Sequence, residues 1–310
     1  MLKQRVITAL ILMAILLPTL AAQAAWPFAA LTLLFISAAG WEWSRLNDAP
    51  GWRAWLFGAA VCGACLFAAQ KMGLSVWSVS IGAEASKALA AQHVHGWGHP
   101  LVGFSTPSVI WLFAAILWVI GGACVLRFGT TYWKASPKDL RRLLGLGLLV
   151  LAWLALVESK AQGLNYLLSV MCLVWAADVG AYFGGRAFGR RKLAPSISPG
   201  KSWEGVWAGM LTVVLLAMCW IWVDRNTMVD SPSLYSRLLM GLGPFGALIA
   251  LTFLAAMSVV GDLFESLIKR QSGAKDSSQL LPGHGGVLDR IDALLPVLPL
   301  ALALTTLCHG

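Results

Sequence analysis

Residues 261–292 hold the densest set of groups able to do chemistry. Gly261-Asp262-Leu263-Phe264-Glu265-Ser266 leads to Lys269-Arg270, then Lys275-Asp276, then Leu281-Pro282-Gly283-His284-Gly285-Gly286, and closes on Asp289-Arg290-Ile291-Asp292. If a helix continues past Asp262, then Asp262, Ser266 and Lys269 or Arg270 fall near one face, at offsets of four, seven and eight. Glu265 is an adjacent carboxylate. The proline and paired glycines predict a bend in which backbone N–H groups approach an anion. Carboxylates can hold Mg2+, while Lys and Arg neutralise phosphate oxygens. Reciprocal salt bridging at a surface would use the same residue types, but it needs neither a glycine-rich bend nor acids beside an apolar helix. Phosphate chemistry is the better reading.

A second polar block lies upstream. Asp178 follows Val174-Trp175-Ala176-Ala177, where a carboxylate is costly unless water, a cation or a polar partner reaches it. Gly180, Gly184, Gly185 and Gly189 follow, with Arg186, Arg190, Arg191 and Lys192 among them or just after. A helix end running into a basic loop explains these residues as well as a phosphate site does. Next comes Ser198-Pro199-Gly200-Lys201-Ser202-Trp203-Glu204-Gly205. Gly200-Lys201-Ser202 resembles the end of a P-loop, but the earlier glycine and the strand-helix context are missing. Lys201 stays a candidate phosphate contact, and Glu204 is placed to cap the following helix or approach a cation.

Helices must position these groups, and the composition says where. Of 310 residues, 58% are hydrophobic and 12% charged, with mean hydropathy +0.74. A surface so poor in charge excludes a soluble enzyme, a disordered tail or a nucleic-acid-binding domain. The net charge of +9 then fits loops held against anionic lipid, with no nucleic-acid partner. The expected fold is all-α, a polytopic integral membrane protein with about nine spans, at about 7–23, 26–41, 54–70, 108–126, 143–157, 162–182, 205–223, 240–261 and 293–309. Several are short, so their ends must extend or pack within the bundle.

With the N-terminus inside, 18 of the 23 basic residues fall on inner loops, which favours that orientation. Both polar blocks then face the same compartment. Lys3, Arg5 and Ala22-Gln23-Ala24 resemble a secretory leader with its cleavage site, but the hydrophobic chain beyond favours a retained first helix. Residues 82–107 read as a periplasmic loop in which His93, His95 and His99 have no fixed spacing for a metal. Cys62 and Cys65 have redox-pair spacing inside an apolar run, where ordinary packing is the better reading. The whole chain, 1–310, reads as one membrane domain.

The residues quoted above resemble the phosphatidate cytidylyltransferase family, also called CDP-diglyceride synthases. The long terminal signature from Ser266 to Asp292 matches without departure. The blocks from Asp178 to Arg186 and from Ser198 to Gly205 are also similar, with Ser202 where relatives often have Thr. Detailed resemblance covers 174–205 and 261–292, while Met1-Leu2-Lys3-Gln4-Arg5 and Glu42-Trp43 look familial too. The resemblance implies transfer of a cytidylyl group from CTP to phosphatidate, giving CDP-diacylglycerol and pyrophosphate for phospholipid synthesis. It places both blocks at the cytoplasmic face of a bacterial inner membrane, among membrane phospholipids. It further implies a homodimer, a need for Mg2+ and a second site able to hold K+.

By that resemblance, Asp262 and Asp289 are the metal-centre positions, and Lys275 and Asp276 join them as catalytic candidates. Lys201, Lys269, Arg270, Arg290 and Arg186 are candidate phosphate contacts. Asp276 and Asp292 would hold water or orient basic residues, with Asp178, Glu204, Glu265, Ser266 and His284 in support. Two other readings use the same residues. One is another lipid-phosphate or polyprenyl-phosphate transferase; the other is a transporter with Asp178 and Asp262 on an ion path. The continuous terminal signature favours the cytidylyltransferase reading over both.

Overall fold

The computed structural model describes residues 2–22, 24–49, 51–72 and 108–308. The expected loop at 82–107 and its three histidines lie outside the described residues. The helices are α1 (Leu2–Ala21), α2 (Trp26–Leu46), α3 (Trp52–Lys71), α4 (Ser108–Ile116), α5 (Gly122–Ala135), α6 (Lys138–Ala161), α7 (Leu164–Phe188), α8 (Trp203–Asn226), α9 (Leu234–Gln271), α10 (Leu288–Ile291) and α11 (Leu294–Leu307). A π-helical turn, Leu117–Gly121, joins α4 to α5.

Eight helical stretches among the described residues are long and apolar enough to cross a membrane, counting α4, the π turn and α5 as one (Val109–Ala135) and α10 with α11 as another (Leu288–Leu307), where the sequence leads one to expect about nine. The difference is α2. It is helical for 21 residues with Glu42 and Arg45 in its last turns, and it is not among the eight. Segments that look short in sequence do extend, as α6 and α8 have 24 residues each. Large apolar side chains such as Leu34, Phe113, Trp207 and Met218 cover the outside, as a lipid-facing surface requires.

One departure from an all-α fold matters for the site. Strands β1 (Lys192–Ala194) and β2 (Ser198–Ser202) pair antiparallel between α7 and α8, with Lys192 opposite Ser202 and Ala194 opposite Ser198. The hairpin takes the place of the expected open loop. Ile197 at its turn is buried, and its carbonyl accepts a bond from Arg270 Nε at 3.3 Å. The ribbon is thereby pinned to the end of α9.

Helix α9 runs 38 residues, well beyond the expected 240–261. Its first turns bend away at Gly243 (φ 69°) followed by Pro244, where regular helical bonding fails. Beyond the bend the helix carries Asp262, Glu265, Ser266 and Lys269 in register. It stops in a left-handed turn at Gly273 (φ 72°), with the Ala274 amide donating to the Lys269 carbonyl at 2.9 Å.

The most extensive helix pair is α7 with α8, which brackets the ribbon. The two backbones approach so closely that a Cβ on Gly209 would stand 2.6 Å from the Ala177 carbonyl oxygen. Gly209→Leu should therefore cost about 1–3 kcal/mol through overpacking. Thermal unfolding of the detergent-solubilised protein is expected to show a midpoint lowered by several degrees.

Candidate active site

The site is built where the end of α9 meets the loop 277–287 and α10. Lys269 lies at its centre. Its Nζ donates to Asp289 Oδ1 at 2.6 Å and pairs with Glu265, one turn earlier on α9. Both partners are nearly or wholly enclosed, their side chains 6% and 1% exposed. Opposite charges this sheltered must pair, because an isolated buried ion is strongly unfavourable.

Asp289 is held from its other side as well. Its Oδ2 accepts from the Ser277 amide (3.0 Å), Ser277 Oγ (2.9 Å) and the Gly286 amide (2.8 Å). Gly286 has no room for a side chain, since a Cβ would lie 2.0 Å from Ser277 Oγ and 2.5 Å from Glu42 Oε1. The preceding turn uses Gly283 (φ 77°) and Gly285 (φ 82°), conformations that favour glycine. The Leu281 amide closes the turn onto the Gly285 carbonyl at 2.9 Å.

Glu42 fastens this loop to α2. Its carboxylate is fully buried and accepts from Ser278 Oγ (2.5 Å), the Val287 amide (2.9 Å) and the Leu288 amide (2.7 Å), while Ser277 Oγ, whose one proton Asp289 also competes for, lies 3.1 Å away. An aromatic cluster fixes its position. Phe264, beside Glu265, has Trp43, Trp118 and Trp133 around it at ring distances of 5.9, 5.5 and 5.5 Å. Residue spacing alone does not single out Glu42. The available signals are a carboxylate inside an apolar helix and the familial look of Glu42-Trp43.

A second charged group adjoins the first. The ribbon delivers Lys201, whose Nζ lies 2.6 Å from Asp262 Oδ2, while Ser266 Oγ donates to Asp262 Oδ1 at 3.2 Å. Asp178 on α7 is within electrostatic reach of Asp262 and Lys201. Asp292 interacts with Asp262, Lys269 and Lys201, and its own Oδ1 accepts the Ala293 amide at 2.8 Å. Gly261 makes this approach possible, because a Cβ there would stand 2.4 Å from the Asp292 carbonyl oxygen. Asp262, Glu265 and Asp289 thus pair directly with the two ammonium groups, and Asp178 and Asp292 are within electrostatic reach of them.

The other sequence candidates lie outside this cluster or do different work. Arg270 turns to the ribbon, and Arg290 donates through Nε to the His284 carbonyl at 2.9 Å. Exposed Arg186 reaches Tyr182 Oη at 3.4 Å. Lys275 and Asp276 are exposed on the loop. His284 shapes the turn, its amide donating to the Leu281 carbonyl at 2.8 Å. The cap expected of Glu204 is made by Ser202, whose Oγ accepts the Gly205 amide at 3.2 Å. Glu204 instead accepts the Arg190 and Arg191 amides, both at 3.1 Å, and so closes the base of the ribbon.

No group of three His, Cys, Asp or Glu among the described residues forms a ready-made metal cage. The donor set nevertheless suits a hard divalent cation. Its ligands are carboxylate oxygens in excess over the lysines, and buried Glu265 Oε1 has no hydrogen-bond partner among the described residues. Mg2+ bound with substrate phosphates needs only one or two protein carboxylates.

Fold and site together define a polytopic membrane protein with an acid-rich, lysine-bridged centre at one end of its helices. A sequence profile described as the cytidylyltransferase family matches residues 3–308, and the chain belongs to that family. The chain is 38% identical over 312 residues to a phosphatidate cytidylyltransferase of Pseudomonas aeruginosa, covering 98% of this chain and 97% of that one. A phosphatidate cytidylyltransferase of Haemophilus influenzae is 53% identical over 138 residues, 44% of each chain. One of Brucella suis is 31% identical over 236 residues, covering 72% of this chain and 81% of that one.

Glu42→Ala would strand two buried amides, each at a cost of about 1–3 kcal/mol. The expected outcome is faster hydrogen exchange across 277–288, with the exchange of α7 and α8 unchanged, as read by peptide mass spectrometry.

Proposed function

We propose that this protein transfers the cytidylyl group of CTP to phosphatidate, yielding CDP-diacylglycerol and pyrophosphate for phospholipid synthesis. The observation that carries the reading is the charged centre itself, carboxylates bridged by Lys201 and Lys269 at the end of apolar helices. Phosphatidate has acyl chains that water excludes, whereas CTP is a soluble polyanion. A centre at the membrane boundary lets both reach one place.

The phosphatidate phosphate oxygen is the nucleophile. It forms a bond to the α-phosphorus of CTP as the α–β phosphoanhydride bond breaks, and pyrophosphate leaves with that electron pair. No side chain needs to become a covalent intermediate. Lys201 and Lys269 are placed to trade part of their carboxylate pairing for phosphate oxygens as negative charge gathers. Exposed Lys275, Arg290 and Arg186, with Arg270 at the ribbon, are the outer contacts that draw the polyphosphate inward.

Asp262 and Asp289 are the residues we assign to Mg2+, with Asp276 and Asp292 holding water or orienting the basic groups. The metal, when bound, supplies Lewis-acid charge to the attacking phosphate and the departing pyrophosphate. K+ is assigned to a second position in the same cluster. With α2 counted as a crossing, nine spans put the N-terminus inside and the C-terminus outside. In support, α1 meets the site loop: Thr8 Oγ1 donates to the Pro282 carbonyl at 2.9 Å. The N-terminus therefore shares the site's face, which we assign to the cytoplasmic side of a bacterial inner membrane. We also assign a homodimer to the assembled enzyme.

The test is pyrophosphate release by purified protein in mixed micelles, with the lipid product identified by mass. Product equal to pyrophosphate, lost without phosphatidate or on chelating Mg2+, is expected. Release with another lipid phosphate only would overturn the acceptor, and gradient-driven uptake without release would favour a transporter. Asp289→Asn is expected to insert into the membrane with a lowered unfolding midpoint, because an amide cannot accept from Lys269 and from the Ser277 and Gly286 donors together, while kcat falls by about 10²–10³. Normal turnover of that folded variant would remove its assigned role.

A further inference from the structure

The charged centre leaves unexplained a groove between α2 and α3. Its volume is about 510 Å3, within the roughly 300–1,000 Å3 common for small-molecule sites. The walls are apolar: Leu33, Ala38 and Trp41 of α2 face Trp55 and Ala59 of α3, and fully buried Trp153 closes the back. A soluble ligand would find almost nothing there to hydrogen-bond.

Two observations tie the groove to the reaction. Leu280 of the site loop lines it, two residues beyond Ser278, which donates to Glu42. The groove therefore runs up to the same clamp that holds Asp289. At that end, the Arg45 guanidinium stands 4.5 Å from the centroid of the Trp41 ring and forms no ion pair among the described residues. An unpaired cation at one end and an apolar trough behind it match an anionic headgroup followed by a hydrocarbon chain.

We propose that this groove holds an acyl chain of the phosphatidate acceptor, its headgroup directed past Arg45 toward the site loop. The inference rests on the proposed reaction, because it names that reaction's lipid. Seating one chain here fixes the depth of the acceptor in the membrane. The phosphate is then presented at the level of Lys201 and Lys269, and long-chain lipids bind better than short ones through methylenes removed from water.

Ala59 and its neighbour Ala60 are both exposed, but only Ala59 lines the groove. Ala59→Trp should lower the ratio of kcat/KM for dipalmitoyl over dihexanoyl phosphatidate by about tenfold. Ala60→Trp should leave that ratio at the wild-type value. An unchanged ratio in Ala59→Trp, or equal losses on both lipids, would overturn the proposal. A second measurement does not depend on turnover: phosphatidate with a diazirine in its acyl chain is photolysed on the wild-type protein. Label on residues 26–71, displaced by phosphatidate but not by phosphatidylglycerol, is the expected result. Label elsewhere, or displacement by both lipids alike, would overturn it. Label as expected without any CDP-diacylglycerol formation would keep the lipid groove and remove the proposed reaction instead.

Discussion

The structure turns on one ammonium group. Lys269 is shared between Glu265 and Asp289 at the end of an apolar bundle, where a buried ion without a partner is strongly unfavourable. Much of the surrounding backbone serves that arrangement. Helix α9 must continue a full turn and more past Asp262 to place Glu265 and Lys269 one turn apart. The loop must return close enough for the Ser277 and Gly286 amides to reach the far side of Asp289. Gly286 is there because any larger residue would collide with Ser277 and Glu42.

Glu42 has the complementary task. An acidic side chain inside a membrane bundle is expensive, yet Ser278 and the Val287 and Leu288 amides, where the loop runs into α10, satisfy it. The two acids are coupled through Ser277, whose hydroxyl lies within hydrogen-bond distance of both Glu42 and Asp289. The tryptophans around Phe264 then lock α2, α5 and α9 into the spacing this clamp requires. The result is a rigid anionic wall opposite a ribbon-borne lysine. Such preorganisation suits charge that moves from an attacking phosphate to a leaving pyrophosphate.

Much of this was legible in the residues, for reasons that are physical and local. Helical spacing alone brings Asp262 and Ser266 together, and the two are hydrogen-bonded. Gly283 and Gly285 announce a turn, and both have positive φ. What sequence spacing could not supply was long-range. Glu42 meets Ser277 across 235 residues, and nothing periodic connects them. The ribbon is too short to show an alternating pattern, so Lys201 reads as a loop residue rather than one aimed at Asp262. Arg270 and Arg290 read as phosphate contacts by composition, and spacing gives no sign that each also donates to a backbone carbonyl. The apolar part of α2 reads as a span, but nothing in it shows that its polar last turns lock the loop through Glu42.

In the proposed reaction a phosphatidate oxygen attacks the α-phosphorus of CTP at this centre. The most direct measurement follows the fate of label from CTP carrying radioactive phosphorus at either the α or the γ position. That chemistry puts α label in the lipid product and γ label only in released pyrophosphate. Label from the γ position in the lipid, or none from the α position, would contradict it.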